Sequence, residues 1–293
     1  MFLAVFIFTA CKSTLSKEVY NDIDKAVKDG ERVQIIDVHS KKLTKLPEGF
    51  EKLTNLKHLS LPNNQFSQFP KAILSLTKLQ TLDLFRNQIP SIPKDIKNLK
   101  ILNKLTLSEN QITLLPEELG ELSQLKEIYL KKNNIQNIPK SIGKIKGLNR
   151  IVLVENQVSY IPDELTSLKN LAWLQLTKNM ITKLPEKIGK LERLTDLYLA
   201  HNQIKELPKS MEKLKNLTNI ELDNNLLTSF PKVLLKLKKL RTIYLSNNQI
   251  SDLAIELAKL PLLNRLKITG NPIKKELVDK LKKAASKELQ IEY

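Results

Sequence analysis

The sequence of 293 residues has few of the residues that most catalytic and metal sites require. It contains one cysteine, three histidines and seven glycines. A single cysteine excludes an intrachain disulfide. We find no P-loop, no glycine-rich dinucleotide motif and no HExxH, and no GxSxG nucleophile motif. Only short segments flank the repetitive part of this sequence, so we expect no catalytic domain beside it. These absences argue against an enzyme, and we expect no cofactor and no metal.

Long apolar runs are also missing. Residues 2–10 form an apolar run that is too short to span a bilayer, and they resemble the hydrophobic part of a secretion signal. The run ends directly before Cys11, and residues 8–11 resemble a bacterial lipobox, in which the cysteine becomes the lipidated first residue. We therefore predict a signal segment over residues 1–11 with Cys11 as the lipidation site. The alternative is an apolar tail with a chance cysteine.

What the sequence does contain is a 23-residue repeat with no insertion or deletion. The consensus is LxxLxLxxNxIxxLPxxIxxLxx. The repeat begins at Val33 and restarts at Leu56, Leu79, Leu102, Leu125, Leu148, Leu171, Leu194, Leu217, Leu240 and Leu263. A fixed period of this length indicates a stacked repeat architecture. Function is then expected on the surface that the stack repeats.

Each repeat combines two kinds of local pattern. In the fifth coil, Ile128 and Leu130 alternate as in a strand, and Pro139 begins the return leg. Ile142 and Ile145 lie three residues apart, which suits a helical or 3-10 turn. Each coil is therefore predicted to have a strand on one side and a short helical segment on the other.

This pattern resembles the leucine-rich repeat family over residues 33 to about 283, and in particular bacterial leucine-rich repeat lipoproteins. The resemblance implies an α/β fold. It is a right-handed solenoid, or horseshoe, with a parallel β-sheet on the concave face and short helical or 3-10 segments on the convex face. The expected divisions are a signal segment (1–11), an N-terminal capping helix (12–32), the repeat array (33–272) and a C-terminal cap of helix plus short strand (273–293).

Two residues recur at fixed places in the coils. Asparagine occupies position 9 of ten coils, and proline occupies position 15 of nine coils. The inward asparagine can bond backbone groups that a tight turn leaves unpaired, and proline fixes φ where the chain turns. We interpret both columns as structural; the alternative for asparagine is a polar binding ladder.

The segments that flank the array are amphipathic. Ser16 is a candidate N-cap for a helix that ends near Asp29, with Gly30 as its stop. Val19, Ile23 and Val27 would lie on one face of that helix. At the other end, an apolar stripe and a final alternating segment predict a second helix and an edge strand, with their apolar residues at Ile273, Leu277, Leu281, Leu289, Ile291 and Tyr293.

The formal charge is +17, from 48 basic and 31 acidic side chains. The columns expected to face outward from the sheet, at positions 3, 5, 7 and 8, contain eight basic and eight acidic residues. The excess positive charge must therefore lie elsewhere, for example on the return legs at Lys140, Lys144, Lys146, Lys232, Lys236, Lys238 and Lys239. A solvated surface and attraction to an anionic partner both account for it.

The outward columns also contain a group of aromatic and apolar residues. Neighbouring strands lie ~4.8 Å apart, so the central members should form one patch about 15 Å across. Such residues dominate affinity when they cluster in an interface; the alternative is isolated exposed aromatics. The predicted partner-binding residues are Tyr129, Val152, Val154, Trp173 and Tyr198, bordered by Arg150 and Lys131 and flanked by Phe85 and Tyr244.

The sequence thus predicts a non-enzymatic module that binds a protein partner through its concave face. The resemblance implies a bacterial protein, exported and membrane-anchored through Cys11 or secreted, with host or cell-surface proteins as partners; otherwise the protein is cytoplasmic. One alternative is a binder of anionic polysaccharide or membrane surfaces through the lysine-rich return legs. A second is an enzyme or an enzyme subunit. No specific nucleic acid is expected.

Overall fold

A computed structural model describes residues 18–293 as a stack of coils along one continuous sheet. Within these residues, thirteen strands follow each other in chain order, and each pairs in parallel with the next. We number them β1 to β13: Val19–Tyr20, Ile35–Asp37, His58–Ser60, Thr81–Asp83, Lys104–Thr106, Glu127–Tyr129, Arg150–Val152, Trp173–Gln175, Asp196–Tyr198, Asn219–Glu221, Thr242–Tyr244, Arg265–Lys267 and Gln290–Glu292. The predicted parallel sheet is confirmed.

The return legs are 3-10 segments, as the three-residue spacing predicted. A proline directly precedes seven of them, where its fixed φ suits the first residue of a helical turn. Within the described residues, the 3-10 segments are Gly30–Arg32, Phe50–Lys52, Lys71–Ser75, Lys94–Asn98, Glu117–Glu121, Lys140–Lys144, Asp163–Ser167, Ile188–Lys190, Lys209–Lys213, Lys232–Lys236 and Ile255–Lys259.

The core is a single cluster that runs through the whole stack. Residues at the same position of adjacent coils lie in register, as Ile128, Ile151 and Leu174 do. All three are at most 1% exposed and belong to that cluster. Because each coil shares its apolar residues with its neighbours, burial is completed only by stacking.

The asparagine column bonds the turn that follows each strand. In the fifth coil, the Asn133 Oδ1 accepts a hydrogen bond from the Ile112 N–H at 2.9 Å. Its Nδ2 donates to the carbonyl oxygens of Leu107 and Leu130 at 3.0 and 3.1 Å. The same pattern repeats in the other coils, for example at Asn87. The structural interpretation of this column is therefore confirmed.

The residue before each of these asparagines has a left-handed backbone. Its φ lies between 52° and 58° in nine coils and is 72° at Gly270. Glycine and asparagine tolerate this conformation best, yet Arg86, Glu109 and Lys132 adopt it here. The turn therefore imposes a backbone geometry that most of its residues do not favour.

The N-terminal segment differs from the prediction. The helix α1 covers Ile23–Asp29, and Asp22 caps it by accepting a hydrogen bond from the Lys25 N–H at 3.0 Å. Val19 lies in β1 and is exposed, so it does not share a helical face with Ile23. The free edge of β2 offers backbone partners to the strand-favouring pair Val19–Tyr20, which explains the later helix start. Gly30 ends the helix, as predicted, with φ 60°. Ser16 lies outside the described residues.

At the other end, the helix α2 covers Lys275–Ala284 and buries Val278 and Leu281. Leu277 of the predicted stripe is only partly buried. The predicted edge strand is confirmed as β13, which pairs with β12. Among the described residues, no helix combines the length and the apolarity needed to cross a bilayer.

Candidate functional site

The parallel register brings the predicted central residues together on the concave face. Glu127, Arg150, Trp173 and Asp196 follow one another across four adjacent strands. Two residues further along the same strands, a second row runs parallel to the first and consists of Tyr129, Val152, Gln175 and Tyr198. We call these eight residues, with Lys131 and Val154, the concave patch.

Three side chains form a stack at the centre of the concave patch. The ring centroids of Trp173 and Tyr198 lie 4.9 Å apart with the planes tilted by 48°. The Arg150 guanidinium carbon lies over the Trp173 ring, 4.3 Å from its centroid. All three side chains are partly exposed, and none belongs to the hydrophobic core cluster. The rings therefore lie on the surface of the sheet, where the sequence predicted them.

A carboxylate holds the hydroxyl group of each central tyrosine. Tyr129 donates to Glu127 at 2.9 Å, and Tyr198 donates to Asp196 at 3.0 Å. Burial and the bond to Glu127 raise the pKa of Tyr129 to about 12. Burial and Asp196 likewise raise the pKa of Tyr198 well above its usual value. Both hydroxyls are therefore protonated at neutral pH and fix the ring orientations.

Several basic side chains on this face are paired with carboxylates. Lys104 lies 3.8 Å from Glu127, and Lys178 lies 3.4 Å from Glu155. By contrast, within residues 18–293 neither Arg150 nor Lys131 has a carboxylate oxygen within 4.0 Å. These two cations border the rings and are available to an acidic group of a partner.

The two valines of the concave patch are less accessible than predicted. Val152 and Val154 are each only 8% exposed, although neither belongs to the core cluster. Val152 lies between Tyr129 and Gln175 in the ladder, and long side chains on both neighbouring strands shield a short branched one. The expectation that the valines are exposed is therefore wrong. That the two valines contribute to binding remains a prediction. They would do so by supporting the rings.

The flanking aromatics do not join the central stack. Phe85 lies two coils before Tyr129 along the stack and is partly exposed. Tyr244 lies two strands beyond Tyr198 and interacts with the last strands instead. The Lys267 Nζ is 5.0 Å from the Tyr244 ring centroid, and Arg265 donates to its hydroxyl at 3.3 Å.

The family follows from this periodic geometry and from sequence comparison. A family model for a leucine-rich repeat region matches residues 155–292, and a second, for the leucine rich repeat, matches residues 31–89 and 123–181. The chain belongs to the leucine-rich repeat family. No curated protein matches this leucine-rich repeat sequence.

Solved leucine-rich repeat structures share the fold. An internalin (InlF) from Listeria monocytogenes superposes with a TM-score of 0.71 at 26% identity, over 90% of this chain and 81% of that one. The ectodomain of the Arabidopsis thaliana receptor kinase GASSHO1/SCHENGEN3, in complex with Casparian strip integrity factor 2, gives 0.76 at 27% identity over 89% of this chain. The plant peptide hormone receptor RGFR1, in complex with RGF2, gives 0.74 at 27% identity, also over 89%. This chain spans 35% and 47% of those two receptor chains.

Sequence reasoning missed the residues that hold the patch. The sequence predicts for Glu127 and Asp196 only a negative charge on the outward face. In the structure, each accepts a hydrogen bond that fixes the ring of a tyrosine. The sequence does contain a signal for these bonds. An acidic residue lies two positions before Tyr129 and before Tyr198, and residues two apart on a strand share a face. The indole N–H of Trp173 and the hydroxyl of Thr177 were also missed. Both are buried and have no hydrogen-bond partner among the described residues.

The histidine and acidic side chains of the described coils are spread along the array. Over residues 18–293, no group of three or more His, Cys, Asp and Glu side chains is placed to hold a metal. His58 lies 3.0 Å from the Thr81 hydroxyl, and His201 lies 3.4 Å from the Asn224 amide, in separate parts of the array. The leucine-rich repeat fold is typical of non-enzymatic interaction scaffolds.

Proposed function

We propose that this leucine-rich repeat protein binds a protein or peptide partner through the concave patch. Leucine-rich repeat proteins mediate protein–protein interactions. The stack of Arg150, Trp173 and Tyr198 carries the proposal for this chain, because it combines the three residue types most enriched in binding hot spots. It also lies on a continuous parallel sheet.

The charges of the concave patch favour a partner that presents an acidic group beside an apolar side chain. Arg150 and Lys131 lack carboxylate partners within the described part of the chain, whereas the neighbouring Lys104 has one. An acidic side chain that bonds Arg150 would place its neighbours over the rings of Trp173 and Tyr198. The two plant receptors in complex with RGF2 and Casparian strip integrity factor 2 support a protein or peptide as the partner class.

The test is the double substitution Trp173→Ala with Tyr198→Ala. Peptides would be selected from a random display library on the wild-type protein, and their dissociation constants would be measured by calorimetry. Loss of one hot-spot side chain costs at least about 2 kcal/mol, so the double variant should bind at least about thirtyfold more weakly. Its thermal unfolding should change little, because neither ring belongs to the core cluster.

Tyr160→Ala is the matched control, since Tyr160 is an exposed aromatic residue outside the concave columns. It should leave affinity unchanged. Affinities of the double variant equal to those of the wild type would refute the concave patch as the binding site.

We further propose that the protein is exported by a bacterium and anchored through Cys11, which lies outside the described residues. The apolar run before Cys11 and the lipobox-like residues 8–11 support this. In the native cell, Cys11→Ser should move the protein from the membrane fraction to the soluble fraction. Membranes should be washed at high salt first, so that electrostatic adsorption does not retain the variant. Equal retention of both proteins would defeat the anchor.

A further inference from the structure

The excess positive charge is concentrated along one side of the array. We define the pre-strand edge as the residues at positions 22 and 23 of one coil and at position 2 of the next, within residues 34–262. At these positions each 3-10 return leg leads into a strand. These columns contain one acidic residue, Glu192, against eleven basic ones. The basic residues are Lys57, Lys78, Lys100, Lys126, Lys146, Lys169, Arg193, Lys215, Lys238, Lys239 and Arg241.

The opposite side of the same coils carries little charge. We define the post-strand edge as positions 10, 12 and 13, directly after the asparagine turn. Its basic residues are Lys42, Lys45, Lys183 and Lys205, and its acidic residues are Glu206 and Asp252. Eleven cations against one anion on one edge, and four against two on the other, make the charge of this protein strongly one-sided.

The cations of the pre-strand edge form a continuous row. A backbone ladder joins position 2 of each coil to the next, as in the bonds from the Lys126 N–H to Asn103 and from the Arg241 N–H to Thr218, both 2.8 Å. Adjacent coils therefore lie about one strand spacing apart at this edge, ~4.8 Å. All of the basic side chains are exposed except Lys57, which is partly exposed.

Few of these cations are neutralised by the protein. Lys100 pairs with Glu121 at 2.9 Å, and Lys169 pairs with Glu192 at 3.5 Å. Within residues 18–293, the other nine have no carboxylate oxygen within 4.0 Å. Several bond neutral oxygens instead; Lys78, for example, donates to Asn55 at 2.7 Å. Such a bond positions the ammonium group and leaves its charge uncompensated.

Two exposed aliphatic side chains lie in the same columns. Ile101 and Leu262 both occupy position 23 and are 41% and 42% exposed. No aromatic residue occurs in the three columns. Single-stranded nucleic acid is usually held by aromatic stacking as well as by charge. Cations interspersed with exposed aliphatic residues instead suit the headgroup region of a bilayer.

We propose that the pre-strand edge docks on an anionic lipid surface, with its lysines and arginines on the headgroups and Ile101 and Leu262 reaching between them. The concave patch lies on a different face of the coils and stays open to a protein partner in this orientation. The proposal rests on charge complementarity over most of the length of the array and is independent of the concave patch.

The test compares two charge reversals of equal size in the full chain. One variant combines Lys126→Glu, Lys146→Glu, Lys215→Glu and Lys238→Glu on the pre-strand edge. The matched control combines Lys42→Glu, Lys45→Glu, Lys183→Glu and Lys205→Glu on the post-strand edge; all eight lysines are exposed. Binding would be measured by co-sedimentation with phosphatidylcholine vesicles that contain phosphatidylserine, at several salt concentrations.

We expect the wild type to bind the anionic vesicles, and to bind them more weakly as salt rises. A surface lysine contributes roughly a fivefold factor to such binding, so the pre-strand variant should lose at least tenfold in partitioning. The control should retain most of it. Equal losses in the two variants would mean that net charge or residues 1–17 drive adsorption, and would overturn the proposal.

A second variant separates a lipid surface from a dissolved polyanion. Ile101→Ser with Leu262→Ser should weaken vesicle binding several-fold and leave binding to dextran sulfate unchanged. Binding of the wild type to dextran sulfate without binding to the vesicles would also overturn the proposal. Affinity for peptides selected on the concave patch should be unaffected by these variants, so the two functional proposals fail separately.

Discussion

The two edges of each coil turn the chain by different means. After the strand, a buried asparagine bonds four backbone groups; Asn133, for example, bonds Ile112, Leu107, Leu130 and Lys131. Before the strand, the turn is made by exposed and partly exposed residues, and the side chains that bond its backbone differ from coil to coil, as do Lys146, Asn170 and Thr195. The turn after the strand therefore repeats one residue in ten coils, whereas the pre-strand edge keeps no single residue type and shares mainly its positive charge.

The difference shows which constraint acts on each edge. A buried turn must satisfy backbone N–H and C=O groups that water cannot reach, and asparagine supplies both an acceptor and a donor at the required length. An exposed turn has no such requirement, because water can form hydrogen bonds with its backbone N–H and C=O groups. A bias that persists on the exposed edge, here the sign of the charge, is therefore informative about a partner.

The largest effect is expected for Asn133→Ala, in the turn after the strand. The substitution leaves the buried Ile112 N–H without its acceptor and several carbonyl groups without their donor. A buried group without a partner costs about 1–3 kcal/mol, so the free energy of unfolding should fall by about 2–4 kcal/mol. Urea denaturation followed by circular dichroism would measure it.

Asn134→Ala is the control, because the neighbouring Asn134 is exposed. It should change the free energy of unfolding by less than about 0.5 kcal/mol. If the two substitutions had equal effects, the asparagine column would not be what stabilises the post-strand turn.

Much of the fold could be predicted because it follows from the period. The strand, the 3-10 return leg and the inward asparagine each depend on contacts that repeat every 23 residues, and all were found where expected. The positions of Trp173, Tyr198 and Arg150 on one face also followed, because parallel register places equivalent residues side by side.

The features that escaped prediction depend on neighbours in three dimensions. The burial of Val152 and Val154 depends on the lengths of the side chains on adjacent strands. The strand at Val19–Tyr20 depends on the free edge of β2, which no local preference reveals. The left-handed position before the asparagine holds asparagine or glycine in four coils but arginine, glutamate or lysine in five, so residue type gave only a partial signal for it.

A smaller effect on the free energy of unfolding is expected on the other side of the coil, where the 3-10 return leg precedes the pre-strand edge. Gly189 lies in the 3-10 segment Ile188–Lys190, and a Cβ there would clash with the carbonyl oxygen of Ser210 on the next coil. Gly189→Ala should therefore force the coils apart and lower the free energy of unfolding by about 1–3 kcal/mol, the usual range for overpacking.

Gly147 is the matched control, because it belongs to the pre-strand edge itself. A Cβ at Gly147 would come no closer than 3.5 Å to another atom, the Leu125 carbonyl oxygen. Gly147→Ala should therefore be neutral, or should stabilise the fold by up to about 1 kcal/mol by restricting the unfolded chain. Both would be measured by urea denaturation. A destabilisation at Gly147 as large as that at Gly189 would show that the pre-strand edge is sterically constrained, and the positive charge of that edge would then require a structural explanation.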